Sequence, residues 1–159
     1  MNFPDRGFNT NTAYKHFEPT LKQTQKKVIY LTKDEMKSIL AANLTGENLY
    51  LEPVRDIFMF CCFSSLRYSD AANLHWNDVR DDHIEVTTIK TADSISIEIN
   101  DMMRSILDKY REIPSKNGLV FPFYTNQAMN RDLKELCKLS GIELRMNHQS
   151  FSVYSQSHQ

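Results

Sequence analysis

A chain of 159 residues, 41% hydrophobic and 25% charged, has the length and composition of one globular domain with a sizeable core. Its formal net charge of −1 excludes strong nucleic-acid binding through the overall field, so any contact with DNA must come from local basic patches. No apolar run approaches the roughly 20 residues that span a bilayer, no signal-peptide pattern opens the chain, and the cysteines show no metal-ligand spacing. These features predict a reduced, cytoplasmic setting with no membrane span, metal or cofactor.

Residues 1–28 are polar and show little periodicity. Lys15, Lys22, Lys26 and Lys27 give them a basic tilt. They read as a flexible arm or linker, with phosphate contacts as the alternative. Folded structure is expected to begin near Val28-Ile29-Tyr30-Leu31. Thr32-Lys33-Asp34-Glu35 has the spacing of a capping box, with Leu31 and Met36 placed as its hydrophobic staple. The helix that follows carries Met36, Ile39 and Leu40 on one face and stops between Asn43 and Gly46. Asn48 to Tyr50 lead into a second helix, with Pro53 tolerated in its first turn.

Every residue from Ile57 to Phe63 is apolar or cysteine, the mark of a segment buried on all sides. The run breaks at Ser64-Ser65, and Leu66-Arg67-Tyr68-Ser69-Asp70 follows. Ser69 or Asp70 is expected to cap a further helix from Ala71 to about Trp76. Arg67 then stands just past the most buried segment of the chain. Local chemistry leaves two roles open for it. One is a helix-end arginine that satisfies last-turn carbonyls or pairs with Asp70, and the other is a planar fork of donors for a carboxylate or phosphate.

After Val79 the period changes. Ile84, Val86 and Thr88 alternate with polar residues, as do Ile95, Ile97 and Ile99, which predicts two half-buried strands. The connection Ile89-Lys90-Thr91-Ala92-Asp93-Ser94 is short enough for a hairpin. Asn100 or Asp101 caps a helix carrying Met102, Met103, Ile106, Leu107 and Tyr110. Leu119 to Pro122 reads as a short extended segment. Thr125 or Asn126 caps a last helix, with Met129, Leu133, Leu136 and Cys137 inward and Gly141 at its C-terminal end.

The stretch Ser64-Ser65-Leu66-Arg67-Tyr68-Ser69-Asp70-Ala71-Ala72-Asn73-Leu74 resembles box I of the tyrosine recombinases, the phage-integrase family, which runs Thr-Gly-Leu-Arg-x-Ser-Glu/Asp-x-x-x-Leu. Ser65 in place of glycine is the departure within the box, and a Cβ there resists positive φ. The flanking sequence looks like integrases of bacterial mobile elements, and Leu31-Thr32-Lys33-Asp34-Glu35 resembles the opening of the family's catalytic domain. The resemblance implies a mixed fold, mainly α with a small antiparallel β-sheet, forming an incomplete tyrosine-recombinase catalytic domain. It implies catalytic and DNA-binding roles for Arg67 and Lys90, Arg67 clamping the scissile phosphate and Lys90 protonating the leaving 5′-oxygen. His148 falls at the first histidine of the family's second box, His-x-x-Arg-His, which implies a catalytic role for it as well.

That second box departs from the family. Phe151 stands where the arginine belongs and Ser152 where the next histidine belongs. Tyr154 is far too close to His148 to match the family's nucleophilic tyrosine. The resemblance therefore covers about Val28 to Ile142, and the sequence looks like a truncated or decayed recombinase. Three parts are expected: an arm at 1–28, a partial catalytic domain at 29–147 and a divergent, frayed tail at 148–159. The implied function is a DNA integrase fragment without strand cleavage of its own, unless a partner supplies tyrosine in trans. The alternatives are a non-catalytic DNA-binding or modulatory remnant and a folded fragment with no present function. Expected partners are double-stranded DNA, held weakly, and a second copy or a full-length integrase. An exposed apolar patch including Phe123, Met129 and Phe151 would drive self-association.

Overall fold

The structure, a computed structural model, describes residues 31–90, 92–114 and 117–142. Thr32 opens the first helix, α1 (Lys33–Leu40), through the predicted capping box. Its hydroxyl accepts from the Glu35 N–H at 3.2 Å, and the Glu35 carboxylate accepts from the Thr32 N–H at 2.7 Å. Both amides would otherwise be left unpaired at the helix start. Leu31 and Met36 lie half-buried against the core. A 3₁₀ turn over Gly46–Leu51 then feeds α2 (Glu52–Ser64), whose first turn holds Pro53, where the missing N–H is not needed.

The centre of the fold is α2. Ile57, Phe58, Met59, Phe60 and Cys61 are buried, whereas Cys62 and Phe63 at its end are half-buried. A helix apolar around its whole circumference needs neighbours on every side. α2 packs against the 3₁₀ turn, α3 (Tyr68–Ala72), α4 (Asp101–Arg111) and α5 (Asn126–Leu139). Phe121 closes the core, edge-on to Phe60 at 4.9 Å and to Tyr110 at 5.1 Å between ring centroids.

A buried carboxylate joins α2 to α4. Asp56 is 8% exposed and receives the Lys109 ammonium at 2.5 Å and the Tyr110 hydroxyl at 3.3 Å. Lys109 also donates to Glu52 at 2.7 Å, so the pair ties the start of α2 to the last turn of α4. Burial and then the Asp56 charge push the Tyr110 phenol well above its usual range, which keeps it a donor.

The alternating segments form an antiparallel hairpin of β1 (His83–Thr87) and β2 (Ser94–Glu98), in register from His83↔Glu98 to Thr87↔Ser94. Ile84 and Val86 are buried, but β2 is more open than the expected half-buried strand, with Ile95 36% exposed. Before the hairpin, Val79 pairs with Ile84 in an isolated antiparallel bridge. Asn100 caps α4 and Thr125 caps α5, each accepting the N–H three residues on. Gly141 takes positive φ after α5, as its place at a helix end requires.

The mainly helical fold with a small antiparallel sheet therefore stands. The expected apolar patch is corrected in one member. Phe123 is 72% exposed, but Met129 points inward at 5% and cannot contribute, while Phe151 lies outside the described residues. Cys61 and Cys137 are buried and Cys62 half-buried. Burial pushes the Cys62 and Cys137 thiols up to about 12 and raises Cys61 as well. Among the described residues no helix is long and apolar enough to cross a membrane.

Candidate functional site

α2 stops at Ser64, and Ser65 reverses the chain in the left-handed region, with φ 59° and ψ 13°. A Cβ resists that conformation by roughly 1–2 kcal/mol. The turn is held by Ser64, whose hydroxyl accepts from the Leu66 N–H at 3.3 Å, and by Leu66, buried in the core. Arg67 follows with an extended backbone, and its carbonyl accepts from the N–H groups of Asp70 and Ala71 at 3.0 Å each. Its side chain is exposed. Among the described residues the guanidinium has neither a hydrogen-bond nor an ion-pair partner, so both local partners considered above are absent.

Ser69 and Asp70 do not cap a helix over 71–76. α3 begins at Tyr68, because Arg67 already presents its carbonyl to the first turn, and both residues fall inside it. Asp70 is 4% exposed and spends its carboxylate elsewhere: Oδ1 accepts from the Ile89 N–H at 3.0 Å. Ile89 belongs to the hairpin tip. There the Thr88 N–H donates to the Asp93 carbonyl and the Ala92 N–H to the Thr88 carbonyl, both at 2.9 Å, with Ala92 at φ 57°. Lys90 sits exposed in this turn, directly after the residue that Asp70 holds. The structure thus joins the segments carrying Arg67 and Lys90 through one carboxylate. His148 lies outside the described residues, as do Ser152 and Tyr154.

On the other side of α3, the Tyr68 hydroxyl donates to the Tyr124 carbonyl at 2.6 Å. Burial, ahead of any charge, raises the Tyr68 phenol above its usual range. Tyr124 immediately precedes the Thr125 cap of α5. The outer face of α5 carries Gln127, Arg131, Lys134 and Lys138, all exposed and spaced to form one stripe. Arg131 is paired with the buried Asp132 at 2.7 Å, whereas Lys134 and Lys138 have no ion-pair partner among the described residues. The i, i+4 lysines were visible in the sequence, but the inward methionine and leucine stripe alone was read there. A separate open groove of about 500 Å³, lined by Trp76, Arg111, Glu112, Ile113 and Pro114, borders neither Arg67 nor Lys90.

Taken together, the arrangement offers an exposed guanidinium and an exposed ammonium on two backbone segments tied together by Asp70. That combination suits an anionic oxygen cluster such as a phosphodiester. No group of His, Cys, Asp and Glu among the described residues has the geometry to hold a metal ion.

A family model described as the phage integrase family matches residues 29–153, running past Ile142 to take in His148. Among curated proteins none matches by sequence. The fold is similar to the catalytic core of lambda integrase, at a TM-score of 0.60 and 21% identity over 78% of this chain and 77% of that one. It is also similar to a lambda integrase (75–356) dimer bound to a COC′ core site, at 0.61 and 20% over 79% of this chain and 48% of that one. XerA recombinase gives 0.58 and 18% over 75% and 46%. The chain therefore spans most of an isolated catalytic core but less than half of these longer proteins.

Proposed function

The chain belongs to the phage integrase family, and from that premise we propose that residues 29–147, together with His148, are the DNA-engaging part of a site-specific tyrosine recombinase. The chain binds duplex DNA through its phosphates and does not cleave it alone. The observation that carries this reading is the Asp70–Ile89 hydrogen bond, which couples two exposed cations at the family's box I arginine and hairpin lysine. Arg67 grips the scissile phosphate in bidentate fashion. Lys90 delivers a proton to the leaving 5′-oxygen, and its charge favours the anion that develops there. His148 adds a hydrogen bond to the same phosphate. Lys134 and Lys138 supply further backbone contacts along α5.

Phe151 is the reason for the negative half of the proposal. At the place of the second clamp arginine it neither donates a hydrogen bond nor neutralises a phosphate. Tyr154 stands too close to His148 in the sequence to match the family's nucleophile. The same substitution favours a second reading, in which the chain modulates a full-length integrase by occupying its DNA or pairing with it. Support for duplex DNA and for assembly comes from relatives of this fold, such as the lambda integrase dimer on a core site and a lambda integrase tetramer on a Holliday junction.

Two measurements test the reading. The chain is incubated with a nicked suicide duplex carrying a recombination site, and no covalent protein–DNA adduct is expected on a denaturing gel. An adduct overturns the non-cleaving half. Affinity for duplex DNA is then measured against salt. A log–log slope of about −2 or steeper reports at least two neutralised phosphates, and a slope near zero removes DNA from the proposal.

A further inference from the structure

α3 is only five residues long, so it makes too few internal hydrogen bonds to hold its own direction. Its orientation, and with it the direction of Arg67 at its start, is set by tertiary ties. Leu66, Ala71 and Ala72 anchor it to the core without directional bonds. Among the described residues the directional ties are two: Asp70 to the Ile89 N–H, and the Tyr68 hydroxyl to the Tyr124 carbonyl at 2.6 Å. Two positions apart on a helix, these side chains leave it roughly 200° apart, so the short helix is pinned from opposite sides. Asp70 faces the hairpin of Lys90, and Tyr68 faces the entry to α5.

Tyr68 is the closer of the two to the guanidinium in sequence. It is half-buried, packs against the core together with Tyr124, and bonds to a carbonyl 56 residues away. A phenylalanine would fill the same space, so packing does not require the hydroxyl. What the hydroxyl adds is direction: it fixes the first residue of α3 against the segment leading into α5.

We propose that Tyr68 is the positioning residue for Arg67, its hydroxyl bond to the Tyr124 carbonyl locking the guanidinium in the direction that meets a DNA phosphate. The inference rests on Arg67 being a phosphate ligand, as argued above. Tyr68 itself touches no DNA. Its contribution is preorganisation, which removes an ordering cost that a free arginine would meet on binding.

The test is a double-mutant cycle on the full chain with a mixed-sequence DNA duplex, affinity being measured across salt concentrations. Thermal melts identify a temperature at which every variant is folded. Tyr68→Phe is expected to weaken binding several-fold at every salt concentration with the log–log slope unchanged, because the Arg67 contact still forms once its ordering cost is met. Arg67→Gln should weaken binding and flatten the slope by about one, the loss of one phosphate contact, and the double variant Tyr68→Phe/Arg67→Gln should be no weaker than Arg67→Gln. Tyr68→Phe with Lys90→Gln should instead be additive. A hydroxyl with a merely structural role would lower the melting temperature, leave DNA affinity as in the wild type and show no coupling to Arg67. Wild-type binding by Tyr68→Phe alongside weakened binding by Arg67→Gln overturns the positioning role and leaves the phosphate reading standing. Unchanged binding by Arg67→Gln removes both.

Discussion

Replacing Asp70 by alanine removes the carboxylate that holds the Lys90 hairpin, and the structure sets the size of the effect. The Ile89 N–H loses a charged acceptor at 3.0 Å, an interaction class worth about 1.5–3 kcal/mol. Two circumstances reduce what reaches global stability. Ile89 is 61% exposed, so water can reach its amide once the tip loosens, and Asp70→Ala also relieves the cost of keeping a carboxylate 4% exposed. A global loss of about 1 kcal/mol is therefore expected, while the hairpin tip loses close to the full bond. Hydrogen exchange separates the two. Protection of the Ile89 amide should fall by about tenfold or more, with the paired amides of β1 and β2 changing less. Asp70→Asn keeps an oxygen acceptor without the charge and should recover about half of the loss. If Ile89 exchanges in Asp70→Ala as it does in the wild type, the bond does not restrain the tip, and the argument that Asp70 couples Lys90 to Arg67 fails with it.

Further expectations follow from single features. Ser65→Gly relieves left-handed strain of roughly 1–2 kcal/mol at the cost of about 0.5–1 kcal/mol of extra chain entropy, so it should stabilise by about 0.5 kcal/mol. A lower urea midpoint for that variant would show that the Ser65 turn is unstrained. Lys109→Met strips Asp56 of its principal cation. The site lies between buried and exposed, and a loss of about 2 kcal/mol is expected in chemical denaturation, with no loss arguing that Tyr110 alone satisfies the carboxylate. His83 lies 2.5 Å from Asp82 and 3.4 Å from Glu85, hydrogen bonds that raise its pKa, Asp82 first. Its stabilisation is fully present below the unfolded value of about 6.5 and is lost as pH rises through the folded one. The midpoint difference between wild type and His83→Gln should therefore shrink from about pH 6 toward alkaline pH, and a difference that grows instead would reverse the assignment.

What could be read from the sequence was what depends on neighbours in the chain. The Thr32–Glu35 box, the Asn100 and Thr125 caps and the apolar run of α2 need only residues within a turn or two. The box I stretch likewise declared Arg67 and its rigid support without any long-range contact. What escaped was tertiary. Asp70 carries an ordinary capping preference, and only the folded chain shows that its carboxylate is claimed by an amide 19 residues away. Tyr68 looked like the variable letter of a motif until Tyr124, 56 residues on, gave its hydroxyl a partner. Met129 was assigned to both an inward stripe and an exposed patch, and helical phase favoured the first. The openness of β2 could not be seen because alternation marks two faces without saying what covers either one.

The three thiols have a practical consequence for following these motions. Alkylating reagents attack the thiolate, and a sulfur held protonated and shielded from solvent offers almost none. Cys61 and Cys137, both buried, are therefore silent toward a maleimide near neutral pH while the chain is folded. With Cys62 replaced by serine, Ser96→Cys, on the exposed face of β2 and nearly isosteric, would be the lone reactive position. A fluorophore placed there reads the hairpin against a dark background, and delayed labelling of the native cysteines keeps time on the opening of the core.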